Sequence, residues 1–121
     1  MATIVRISGV SGKNITRTLL YDNPNPTQNL GEVTLSVDIY QYEYILFEYK
    51  PIKIDNYEKT TIVKVVLNQS SYPIGFEENF YKRNLTNGPS NWKVSKATIP
   101  NGNEASDRII ITKIYGLNGE I

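Results

Sequence analysis

The sequence predicts an all-β protein: a two-sheet antiparallel sandwich of about eight strands, in a jelly-roll or similar Greek-key topology. Three observations predict it. Apolar residues alternate with a period of two along several short stretches, and the clearest of these is Tyr42 to Lys50. There Ile45, Phe47 and Tyr49 share one face, and Tyr44, Leu46, Glu48 and Lys50 share the other. Clusters of glycine, proline and asparagine separate these stretches, as turns do in all-β chains. No segment carries a convincing helical stripe, and nothing repeats at a fixed period.

Each element follows from local pattern. Ala2 to Ser8 alternates, Ala2 and Ile4 against Val5 and Ile7, and predicts a short first strand before a turn at Gly9 to Asn14. Ile15 to Tyr21 sets Thr16, Thr18 and Leu20 against Arg17, Leu19 and Tyr21. Asp22 to Asn29 is an ordered loop, because Pro24 and Pro26 remove two amide donors and fix φ near −65°. Glu32 to Val37 resumes alternation, with Val33, Leu35 and Val37 inward, and Asp38 to Gln41 turns the chain into the Tyr42 strand. Pro51 is expected to stop that strand.

Lys53 to Lys59 is a polar connection. Thr60 to Asn68 follows as a strong strand, with Thr61, Val63, Val65 and Leu67 on one face, and is expected in the middle of a sheet. Asn68 to Ser71 turns the chain. In Tyr72 to Arg83 the residues Phe76, Phe80 and Tyr81 would suit one helical turn, while Pro73 and Gly75 favour an extended segment with a bend. Asn84 to Asn91 reads as a loop around Gly88 and Pro89. Trp92 to Ile99 alternates again, and Pro100 to Asn103 turns. Asp107 to Tyr115, with Ile109, Ile110, Ile111 and Ile114, is the near-continuous apolar run of a central strand, and Gly116 to Ile121 is a short tail.

Composition bounds the function. At 121 residues the chain is one domain, residues 1–121, able to bury a two-layer core without disulfides or metals. Hydrophobic residues at 40% and charged residues at 21% exclude a disordered chain. The net charge of +1, from 13 basic and 12 acidic residues spread without blocks, argues against nucleic acid or an anionic membrane as the main partner, and no apolar run is long enough for membrane insertion. There is no cysteine and no histidine, so thiolate chemistry is excluded and the usual general base and metal ligand are missing. Met1 to Val10 has no apolar run suited to a signal peptide, and the expectation is synthesis and folding in a cytoplasm. The Asn14, Asn68 and Asn84 glycosylation patterns are then accidents of an asparagine-rich chain.

Catalytic chemistry is sparse. Gly9, Gly12, Gly88 and Gly102 are isolated turn glycines rather than a phosphate cradle. Glu77 with Glu78, or Glu48 with Asp55, could be paired for glycoside hydrolysis, but solvated acids explain them. Asp22, Asn23, Asn25 and Glu32 offer oxygen ligands that turn formation explains as well. No catalytic residue, cofactor or metal site is assigned, and the expectation is a protein that is not an enzyme. Nine tyrosines and one tryptophan against three phenylalanines favour rings with a polar tip, which suit sugar or protein contacts. Trp92, Tyr72, Tyr81 and Tyr57 lie in or beside loops and are the candidate glycan or partner contacts, against the competing reading of half-buried sheet tyrosines.

Leu19-Leu20-Tyr21-Asp22-Asn23-Pro24-Asn25-Pro26-Thr27, then Val33-Thr34-Leu35 and Tyr42-Glu43-Tyr44-Ile45-Leu46-Phe47-Glu48-Tyr49, resemble a small β-sandwich module of structural proteins in tailed bacteriophages and prophages. Ile111-Thr112-Lys113-Ile114-Tyr115-Gly116 is similar to its last strand, whereas Asp55 to Glu104 has no counterpart. The resemblance implies a virion component of the tail, baseplate or fibre, made in the host bacterial cytoplasm. It also implies association with other virion proteins, a homo-oligomer with a trimer favoured, and contact with host cell-surface polysaccharide. Residues 1–18 precede the motif, and the role left for them is an attachment or an exchanged strand. A head-decoration or head-fibre protein without a receptor role, and a carbohydrate-binding module of a bacterial protein, are the alternatives. A small glycosidase would need two carboxylates facing each other in a groove.

Overall fold

Ile45, Phe47, Tyr49 and Pro51 are buried while the residues between them are not, and this alternation forms one long strand through the centre of the domain. The computed structural model describes residues 2–5, 15–74, 81–87 and 91–119. Its strands are β1 (Ala2–Val5), β2 (Ile15–Asp22), β3 (Val33–Leu35), β4 (Tyr44–Ile52), β5 (Lys59–Lys64), β6 (Ser71–Ile74), β7 (Arg83–Asn87), β8 (Trp92–Val94) and β9 (Arg108–Gly119). One sheet has the order β1-β2-β9-β4-β5 and the other β3-β8-β7-β6, with every pairing antiparallel. The turn read at residues 9–14, the bend after Ile74 with Phe76 and Phe80, and the Glu77 and Glu78 carboxylates lie outside the described residues.

The protein is therefore the two-sheet antiparallel sandwich that the sequence predicts. β2 pairs with β9 in one sheet while β3 pairs with β8 in the other, so the chain folds back on itself as in a jelly roll. β9 also pairs with β4, and the remaining neighbours β1–β2, β4–β5, β6–β7 and β7–β8 are sequence-adjacent, a mixture of hairpins and long crossings of the Greek-key kind. β9 lies between β2 and β4, the central place expected for its isoleucines.

The core fills the space between the sheets. Ile45, Phe47, Tyr49, Ile109, Ile111 and Ile114 come from the five-stranded sheet; Val33, Leu35, Tyr72, Ile74, Leu85, Trp92 and Val94 face them from the four-stranded one. A single 3-10 turn, Ile39–Gln41, closes one end: the Asp38 carboxylate accepts the Tyr40 N–H at 3.0 Å and Ile39 is buried. In β2 the register shifts between Leu19 and Tyr21, and this bulge turns both Leu20 and Tyr21 against the core.

Three local expectations are corrected. The Thr60 strand is not in the middle of a sheet: β5 forms its edge, because among the described strands β4 alone pairs with it and its residues are no more than half-buried. Pro51 does not stop β4, which runs on to Ile52. The β4–β5 register ends at the Tyr49–Lys59 pair, so Pro51 is not called on to donate to β5 and its missing N–H is tolerated. The first residues of the segment read as a loop from Asn84 belong to β7, where Arg83 and Leu85 point inward and Asn84 and Thr86 outward. The first strand β1 pairs with β2 of its own chain, from Ala2–Thr18 to Val5–Ile15.

The inward residue that disguised β7 is a buried arginine. The Arg83 side chain is fully enclosed, and its five N–H groups all donate to main-chain carbonyls. Nε donates to Ile109 O at 2.7 Å, one terminal nitrogen to Gly31 O and Ser95 O, and the other to Leu30 O and Arg108 O. These carbonyls come from β9, from the segment before β3 and from the end of β8, so one side chain ties the two sheets together. Ile109 presents its carbonyl from a left-handed conformation with φ 48°, which a β-branched residue adopts only under constraint. Burial pushes the Arg83 pKa down to about 10, against the opposing influence of Tyr21 and Glu104, so the group remains a cation at neutral pH. Tyr21 is shifted upward, chiefly by burial.

Candidate functional site

Three chain segments meet beside the ends of β2 and β4 and border a hollow of about 410 Å³. The first is the proline loop. Its Asn23 N–H donates to Thr112 O at 2.8 Å, its side-chain Nδ2 to Ile111 O at 3.2 Å, and its Oδ1 accepts the Asn25 N–H at 2.9 Å. Thr27 donates to the Asn25 side chain at 2.7 Å. A loop with two prolines and this many side-chain bonds is fixed before any ligand arrives. It presents Asp22 and Pro26 to the hollow.

The second segment runs from the end of β4 through Glu58. The Ile52 N–H donates to Asp55 Oδ2 at 3.1 Å, Asp55 N–H to Ile52 O at 2.9 Å, and Lys50 Nζ to Lys53 O at 2.6 Å. The closed turn lifts Asn56 and Tyr57 outward, and Tyr57 is 56% exposed. The third segment is a bulge in β9. Glu48 pairs with Lys113 and Tyr49 with Ile111, so Thr112 is the extra residue. Its hydroxyl donates between Glu48 O, at 3.0 Å, and the Glu58 carboxylate. Lys113 also lines the hollow.

Of the four aromatic residues singled out in the sequence, only Tyr57 reaches this place. Trp92 and Tyr72 are corrected to interior positions, 3% and 2% exposed. Trp92 meets the Tyr40 ring edge-on at 5.4 Å and Tyr72 at 6.2 Å. The Tyr72 hydroxyl accepts Val66 N–H at 3.0 Å and donates to Val66 O at 3.1 Å, so its polar tip is satisfied inside the fold. Only an edge of Trp92 borders a second hollow of about 270 Å³ with Tyr40, Asp38 and Asn91. Tyr81 is half-buried, and the Arg108 guanidinium lies 4.3 Å over its ring. The four do not form one face. Asn23, Asp22, Thr112 and Lys113 were not singled out together as a site, because only the β2–β9 register makes them neighbours: Asp22 pairs with Lys113.

Of the oxygen-rich cluster, Asn23 and Asn25 bond within the loop and Glu32 pairs with Lys93 at 3.6 Å, while Asp22 lines the hollow. Among the described residues no group of three acidic side chains is placed to hold a metal ion. Asp22, Asp55 and Glu58 all line the hollow, but Asp55 and Glu58 each already accept a protein hydrogen bond. Among the described residues no helix is long and apolar enough to cross a membrane.

A second feature lies on the outer face of the same sheet. Leu19 pairs with Tyr115, Tyr115 with Leu46, and Leu46 with Ile62, which sets four apolar side chains in one row across β2, β9, β4 and β5. Leu19 and Ile62, at its ends, are 42% and 43% exposed. The row runs to the open edge at β5, beyond which Val66 and Leu67 are exposed as well. No protein-family model, no curated protein and no solved structure matches the chain.

Proposed function

We propose that the chain is a structural module of a tailed-phage virion that works by association, with copies of itself and with other virion proteins, and performs no catalysis. The observation that carries the association is the apolar row from Leu19 to Ile62, whose ends, Leu19 and Ile62, are 42% and 43% exposed. A row of this kind loses its water when a second protein covers it. Assignment to the virion is supported by the resemblance of the β2, β4 and β9 residues to phage structural proteins. The non-enzymatic reading rests on the sequence, which has neither histidine nor cysteine to act as general base or nucleophile.

Light scattering on the purified chain tests the association. The expected result is a stable homo-oligomer, a trimer by the resemblance, at about 100 μM, with Ile62→Glu shifting it toward monomer. A wild-type chain that stays monomeric at that concentration overturns self-association, and an oligomer indifferent to Ile62→Glu and Leu19→Glu removes the row from its interface.

A further inference from the structure

We propose that the hollow beside Tyr57 binds an uncharged saccharide. This adds a second function to the association proposed above and stands or falls independently of it, since the hollow and the apolar row are lined by different side chains.

The chemistry of the lining selects the ligand class. Asp22, Asp55 and Glu58 are acceptors, while Lys113, Asn23 and Asn56 supply donors, so the basin offers both kinds of group around one space. A hydroxyl group is donor and acceptor at once, and a molecule bearing several of them fits such a mixed lining. A phosphate would need donors alone and would meet three carboxylates. A metal ion would need acceptors alone, gathered more closely than any acidic group among the described residues. The acids are offset by Lys50 and Lys113, which leaves no large charge surplus to recruit a strongly ionic ligand.

Geometry narrows the class further. Tyr57 lines the hollow and is 56% exposed, so an aromatic ring is available there to stack on the C–H face of a pyranose. The polar groups behind it are already aimed. Asn23 is held by three bonds, Asp55 by the Ile52 N–H, and Glu58 by Thr112. Each keeps lone pairs or protons unused, so binding costs little ordering of the site. At about 410 Å³ the hollow is the size of a small-molecule site and accommodates one or two sugar rings.

The test is a titration of the full chain, labelled with nitrogen-15, against methyl glycosides of glucose, galactose, rhamnose and N-acetylglucosamine. Sodium glucuronate and methyl phosphate serve as charged probes, and a soluble bacterial cell-wall polysaccharide serves as the polymeric one. The expected result is saturable shifts at Asn23, Asn56, Tyr57 and Lys113 with a neutral glycoside or the polymer, at a Kd of about 1 mM or tighter. Tyr57→Ala weakens that binding by about tenfold or more, the loss of one stacked aromatic contact, and Lys113→Ala weakens it less. Both side chains lie at the surface, and an unchanged amide spectrum elsewhere verifies the fold of each variant. Preference for the polymer over every simple glycoside identifies a cell-surface glycan as the source; equal binding identifies a free sugar. The proposal is overturned if neither neutral glycoside nor polymer shifts these amides, if a charged probe binds more tightly, or if Tyr57→Ala binds like the wild type.

Discussion

Replacing Arg83 by methionine removes a cation of similar length and leaves five carbonyl oxygens, those of Leu30, Gly31, Ser95, Arg108 and Ile109, without their donors. Each buried acceptor left unmet costs about 1–2 kcal/mol, or roughly 5–10 kcal/mol in all. Against this, the variant no longer has to desolvate a guanidinium, which returns several kcal/mol. The net expectation is a loss of about 3–5 kcal/mol, a large part of the stability of an ordinary domain. Urea unfolding reads it through Trp92, the one tryptophan, which is buried against Tyr40 and Tyr72 and reports loss of packing directly. The midpoint should fall by roughly 2 M. Arg83→Lys keeps the charge with three donors in place of five and is expected to fall in between, at about 2–3 kcal/mol. A methionine variant within about 1 kcal/mol of wild type would refute the reasoning, since desolvation would then cancel the five bonds and the inter-sheet tie would hold nothing.

Two further outcomes follow from the structure. A Cβ added at Gly116 would lie 2.5 Å from ring atoms of Tyr42, so Gly116→Ala should cost about 1–3 kcal/mol, and adding Tyr42→Leu should recover part of that in a double-mutant cycle. Stability should be nearly flat between about pH 6 and 9, because the chain has neither histidine nor cysteine. Above pH 10 two shifts act in opposite directions. The raised pKa of Tyr21 means that its contribution is present below the ordinary tyrosine value of 10.0 and lost as pH rises through its folded value. The depressed pKa of Arg83 means that the cost of its buried charge persists as pH falls through about 10 and is relieved only above it. A Tyr21→Phe variant that loses stability above pH 10 as steeply as wild type does would show the Tyr21 assignment to be wrong.

What could be read from the chain was whatever rested on a two-residue period and on apolar content. β4 and β9 have those in full, and their buried faces are the ones the pattern indicates. β7 failed because its first inward residue is charged: alternation cannot signal an arginine whose donors are met by carbonyls far away in sequence. β5 failed for the opposite reason. Its apolar residues suggest a central place, yet half of them face outward, and whether an outward face is covered depends on sheet order, which no local pattern encodes. Trp92 and Tyr72 were placed at a surface by their proximity to turns, but as strand residues β8 and β6 direct them inward. Of the hollow, the proline loop and Tyr57 were legible separately. The bulge at Thr112, which completes the wall between them, depends on pairing with β4 and leaves no trace in the residues around it.

The segments on which the proposed phage resemblance rests are far apart in sequence and close together in space. Leu19 to Thr27 ends β2, Tyr42 to Tyr49 supplies most of β4, and Ile111 to Gly116 is the middle of β9; these three strands are neighbours in the order β2-β9-β4. A resemblance carried by one block of sheet describes packing: Leu20 and Tyr21 turned inward by a bulge, Ile45, Phe47 and Ile114 in the core, and Asn23 closing the loop over β9. It extends to one wall of the hollow, through Asp22, Asn23 and Lys113, and stops there. The opposite wall, Asp55 to Glu58, belongs to the stretch without a counterpart. If a saccharide binds, its identity should follow changes at residues 55–58, whereas changes in the Asp22 loop should alter affinity for all sugars alike.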